Sequence, residues 1–182
     1  VLPKPGRILQ DTTSAPDEDA FVAEAGKIAT ELARYAIRKD RSAAWIGLDW
    51  LGDAEAYQLV PLGATLYNGV SGIGVFFAAH GQVAGHAPST ELAYASVAYL
   101  RTRLKDWNAA RFARSLGIGG AAGLSSIVYA LTVMSKSLDD DALLADAHVA
   151  SRLITDDLIA SDKRLDVIGG SAGAILCLLR LY

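Results

Sequence analysis

One motif constrains this chain more than any other: glycine, two residues, a second glycine, then an apolar run. It occurs at Gly69 and Gly72 in NGVSGIGVFF, at Gly120 and Gly123 in GGAAGLSSIVYAL, and at Gly170 and Gly173 in GGSAGAILCLL. The first glycines are 51 and then 50 residues apart (69 to 120, 120 to 170). A motif returning at such a period marks a repeat architecture, in which each unit buries its apolar face only against its neighbours.

Amphipathic segments precede each copy. Over residues 17–38, Phe21, Ala25, Ile28, Leu32 and Tyr35 keep the 4-3-4-3 spacing that lays one stripe along a helix, with acids in the first turn and bases in the last. Residues 89–104 place Ala93, Val97, Leu100 and Leu104 on one face, and residues 140–159 place Leu143, Ala147, Ala150, Ile154 and Leu158. The glycine-led runs are different. From 56 to 90 and from 115 to 135 the only ionisable side chains besides tyrosine are His80 and His86. The repeat unit therefore reads as an outer amphipathic helix, a connection and an inner buried helix. No segment presents the strict alternation or β-branched clustering of a strand, so the expected class is all-α. Residues 39–63, punctuated by Gly47, Gly52, Pro61 and Gly63 and anchored by Trp45 and Trp50, read as a packed connection. The expected organisation is a linker or cut edge at 1–16, then one unit over 17–182 with repeats near 17–80, 89–135 and 140–182.

Composition excludes several functions. A formal net charge of -3 gives no basic footprint for nucleic acid. The charge-free runs carry Gly, Ser, Asn and Gln and alternate with charged helices, which argues for buried helices rather than membrane spans. The first residues lack the apolar core of a secretory signal, and the lone Cys177 rules out an intrachain disulfide. The simplest address is the cytoplasm.

Candidate chemistry is sparse. Asp49, Asp53 and Glu55 at their spacing read as a solvated turn rather than a metal site. His80, His86 and His148 are scattered without ligand spacing, and Cys177, inside an apolar run, reads as a small core residue. Gly117, Gly119 and Ala122 fit a dinucleotide loop by spacing, and Asp139 or Asp140 follows at the right distance. The preceding ARFARSL is no buried strand, and the threefold repeat explains those glycines better. A repeat of one charged and one buried helix is what an α/α toroid needs, and three hairpins do not close such a ring. Open edges are expected on the first and last units, and self-association through them is one outcome.

The same residues carry a resemblance. WIGL at Trp45, QLVPLGATLYNGVSGIGVFFAA from Gln58, GIGGAAGLSSIVYAL from Gly117 and LDVIGGSAGAILCLLRLY from Leu165 together resemble the cyclase part of the LanM-type, class II lanthionine synthetases, a domain similar to the LanC cyclases. The resemblance implies a seven-hairpin α/α toroid, of which this bacterial chain would hold about the first three hairpins. It also implies a Zn2+ site at one mouth, which binds a cysteine of a precursor peptide and favours its thiolate. The thiolate then adds to dehydroalanine or dehydrobutyrine to form a thioether ring. The family's zinc ligands, a cysteine and a Cys-His pair, lie in repeats beyond the third, so no metal ligand is expected here and the chain alone is expected to be inactive. Asp166 in DVIGGSAG matches an acidic residue at the mouth and is the one catalytic candidate. Four positions before the first motif glycine, the other copies have Thr65 and Leu116, so the acid is not a demand of the repeat. A helix N-cap role and a chemical role both remain open for it. A different class of function, a non-catalytic helical-repeat module binding a peptide or protein on its concave face, fits the same periodicity.

Overall fold

The computed structural model describes residues 17–51 and 55–182, so the expected linker at 1–16 and the acid Asp53 lie outside the described residues. In chain order the elements are α1 (Glu18–Tyr35), β1 (Ile37–Lys39), β2 (Ser42–Ala44), β3 (Ile46–Leu51), β4 (Ala56–Pro61), α2 (Val70–Ala84), α3 (Ala87–Arg103), α4 (Ala109–Leu116), α5 (Leu124–Leu138), α6 (Asp141–Ser151), α7 (Asp156–Ala160) and α8 (Ser171–Leu181). The protein is mostly helical, as a toroid-type repeat requires.

The inner helices α2, α5 and α8 lie side by side in that order, and α3 and α6 cover α2 and α5 from outside. The core lies between these layers: Phe77 of α2, Leu92 and Val97 of α3, Leu124, Ile127, Leu131 and Met134 of α5, and Leu143 of α6 are all fully buried. The stripes read on α3 and α6 are the buried faces. Residues 140–159 do not form one helix, because the chain turns after Ser151 and restarts at α7 with Thr155 as N-cap.

The tight corners follow the inner helices. Gly85 ends α2 and Asp139 ends α5, both in the left-handed conformation that closes a helix, and the next outer helix starts within two residues. The closest helical hairpins are thus inner-then-outer, α2 with α3 and α5 with α6. Between α3 and α6 the buried carboxylate of Asp146 pairs with Arg101 and Lys105, which compensates its desolvation.

On α1 the buried side is offset from the stripe read in the sequence. Ala29 is buried and Ala25, Leu32 and Ala33 partly so, whereas Phe21, Ile28 and Tyr35 face outward. Small residues win this contact because they let α1 approach α2 closely. The stretch at 39–63 holds two antiparallel hairpins, β1–β2 and β3–β4. Trp45 between them is the real anchor: its indole N–H donates to Leu32 O (2.8 Å) and its ring packs near Phe77. Trp50 is not an anchor. It is half exposed and meets Tyr57 across the hairpin.

Candidate functional site at the glycine turns

Each inner helix is entered through a turn ending in an extended glycine: Gly69 (φ -143°), Gly123 (φ -145°) and Gly170 (φ -122°) are the N-caps of α2, α5 and α8. These three are the equivalent positions. In the second copy the cap is the second glycine of the motif, so the structural spacings are 54 (69 to 123) and 47 (123 to 170) rather than 51 and 50. Main-chain hydrogen bonds fix this register. Tyr67 N donates to Ala121 O (3.0 Å) and Ala121 N to Ile168 O (3.0 Å), each residue lying two positions before its cap glycine. The counterpart of Asp166 in the second turn is therefore Gly119, not Leu116, while Thr65 remains its counterpart in the first. Neither is acidic.

This ladder joins the three turns into one strip at the N-terminal end of the inner helices. Its closeness depends on missing side chains. A Cβ on Gly120 would lie 2.6 Å from Gly173 Cα, and one on Gly119 would lie 2.5 Å from Gly169 Cα. Backbone meets backbone there, and no side-chain rotamer relieves such a clash.

The turns differ in how they satisfy the first helical amides, which have no partner within the helix. Val70 N donates to Gly63 O and Leu124 N to Gly117 O, both at 2.8 Å and both seven residues back. In the third turn Ser171 N donates instead to Asp162 Oδ2 (2.7 Å), while Asp162 Oδ1 accepts from Arg164 N (2.9 Å) and Leu165 N (3.4 Å). Hydrogen bonds from the backbone amides of Arg164 and Ser171 hold the Asp162 carboxyl below its ordinary value. The amide that Asp166 was a candidate to cap is thus served by Asp162.

Asp166 is exposed. Its Oδ1 accepts from Gly169 N (2.6 Å), and its carbonyl accepts from Gly170 N and Gly173 N. The preceding Leu165 has φ 58°, a left-handed conformation uncommon for a branched side chain. This strain sits directly before the candidate acid, a place where backbone strain and function often coincide.

The histidines do not join Asp166. His80 lies about 15 Å along α2 from its start, at the 1.5 Å helical rise per residue. Its Nδ1 and that of His86 both meet Ser89 Oγ, at 2.8 and 2.9 Å. Burial, with His86 beside it, lowers the His80 pKa. His148, in the last turn of α6, packs edge-on against Tyr182 at the far end of α8. Cys177 is buried, its thiol donates to Gly120 O (3.5 Å), and burial pushes its pKa up to about 11. A thiol so placed is not a ready metal ligand. Among the described residues no three of His, Cys, Asp and Glu come together as a metal set, so these residues do not fit a zinc centre. Asp49 is exposed on β3 and Glu55 on the turn before β4. A cleft of about 640 Å³, lined by Ile37, Ala43, Leu62, Leu100 and Phe112 among others, lies against β1, β2 and α3 and reaches Gly63 and Val70 of the first turn, but not Asp166. No helix among the described residues is long and apolar enough to cross a membrane.

Side-by-side inner helices clothed by outer ones, with glycine turns gathered at one end, define the class: αα-hairpin repeats of the toroid type. The family model described as Lanthionine synthetase C-like protein matches residues 60–182, and the chain belongs to that family. No curated protein matches the chain. The match starts within β4, so α1 and most of the two hairpins lie outside it.

Proposed function

We propose that the chain is the N-terminal part, about three of seven hairpins, of the cyclase domain of a LanM-type, class II lanthionine synthetase working in the bacterial cytoplasm. The reaction joins a peptide cysteine to dehydroalanine or dehydrobutyrine: the S–Cβ bond forms, the carbon–carbon double bond is consumed, and the α-carbon takes up a proton. Asp166 is the residue of this chain assigned to that proton, as orienter or relay. The observation that carries the reading is its place, on the glycine-turn strip, exposed, with Oδ1 held by Gly169 N while Asp162 serves the helix amide.

The free flank of α8 supports the same reading. Ile175, Leu176 and Leu179 are exposed on the side away from α5, where a further inner helix would continue the row. Zinc, which supplies thiolate at neutral pH when bound, is assigned to ligands outside the described residues. The chain alone should therefore take up no stoichiometric zinc and form no thioether. The test incubates the chain with zinc and a dehydrated, cysteine-containing peptide, following free thiol by alkylation and bound metal by elemental analysis. Thiol loss above background, or one tightly bound zinc per chain, would overturn the assignment.

A further inference from the structure

The β3–β4 hairpin has one face made wholly of apolar side chains. Its register pairs Ile46 with Pro61, Leu48 with Leu59 and Trp50 with Tyr57, and alternation turns Gly47, Asp49, Gln58 and Val60 to the other side. The face is bare: Ile46 is 54%, Leu48 68%, Trp50 50%, Tyr57 66% and Leu59 74% exposed. Scattered apolar residues on a surface need no explanation, but a contiguous cross-strand ladder does. A two-stranded hairpin is marginal in water unless its apolar face is packed against something. The repeat offers no cover, because its free flank is on α8, at the other end of the row of inner helices.

We infer that this face is a homodimer interface, on which the ladder of a second copy stacks. At these exposures the five large side chains and Pro61 offer roughly 700 Å², close to the ~800 Å² per partner of a standard stable interface. The face carries no charge, since Asp49 points away with the neutral Gln58, so stacking two copies brings no like charges together. One patch meeting itself about a two-fold axis gives a closed dimer, with the two hairpins as facing sheets. A lipid surface is the poorer fit, because residues 46–51 and 55–61 contain no lysine or arginine, the residues interfacial segments use on their polar face.

Sedimentation velocity of the whole chain tests this. The expected result is a dimer with a dissociation constant near or below about 1 μM, the weak end for an interface of this area. Leu48→Lys with Leu59→Lys should give a monomer with unchanged helical circular dichroism. Should that pair lose helical signal, Leu48→Ser with Leu59→Ser is to weaken the dimer at least ~100-fold, as loss of central anchors does. Ile175→Lys with Leu179→Lys, on the α8 flank, should leave the dimer intact. A wild-type monomer at about 100 μM, far above that constant, overturns the inference. So does open-ended polymer, or a dimer that the α8 pair dissolves and the hairpin pair does not.

Discussion

The turns before α5 and α8 follow the same path by different means. Before α5 the chain uses its own carbonyls: Leu124 N reaches Gly117 O, and Gly119 stands where the third turn has Asp166. Before α8 two carboxylates and a strained leucine take over, Asp162 on the helix amide, Asp166 on Gly169 N and Leu165 at φ 58°. A turn made of glycine and main chain suffices for the architecture. The polar, strained version adds an exposed carboxylate to the strip, which the architecture does not require.

The largest effect should come from what both turns share. Gly120→Ala sets a Cβ 2.6 Å from Gly173 Cα, backbone against backbone, and should destabilise by about 3 kcal/mol, the upper range of overpacking, as read by chemical denaturation. An effect below about 1 kcal/mol would mean that the strip can spread and that the two turns are not held in register. Leu165→Gly sharpens the contrast in the other direction. Relieving a left-handed leucine should stabilise by about 1 kcal/mol despite the added backbone freedom of the unfolded chain; a loss of stability would show that the leucine is not strained there.

Asp162→Asn should have a smaller effect, a lower melting temperature at pH 7. The folded carboxyl is held below its ordinary value of 3.8, so its contribution is complete above that value and is lost as pH falls through the lower folded value. Melting curves of wild type and variant should therefore converge in acid. A constant gap down to about pH 2 would deny the carboxylate its role. Asp166→Asn should change stability least, because the amide oxygen still accepts from Gly169 N and the residue is exposed.

Period and polarity made the helical layers legible in the sequence. The stripes of α3 and α6 are buried as read, because Val97, Leu143 and Ala147 fall on the inward face that the spacing picks out. The α1 stripe misled, since Phe21 and Ile28 outrank Ala25 and Ala29 in hydropathy but not in closeness of packing. The two hairpins were hidden in a stretch short of β-branched residues, although Ile46, Leu48 and Trp50 do alternate with Gly47 and Asp49. At the site, Asp166 was singled out by the resemblance, with the repeat only as a control, and its register against the second copy was not legible. Two glycines three residues apart look alike in sequence, and only the ladder from Tyr67 to Ala121 to Ile168 decides which one caps the helix. Asp162 gave no signal because it reaches Ser171 N across nine residues, outside the usual capping spacing.

The most direct test of this division of labour compares Asp162→Asn and Asp166→Asn in a cyclisation-competent protein containing this chain, measuring thiol consumption and melting temperature on the same samples. The account predicts that Asp166→Asn slows thiol consumption by about 100-fold or more, the scale of a lost proton-transfer group, with its melting temperature unchanged. Asp162→Asn should lower the melting temperature and keep the rate per folded molecule. Full activity in Asp166→Asn would contradict the account and leave that carboxylate as no more than a turn residue.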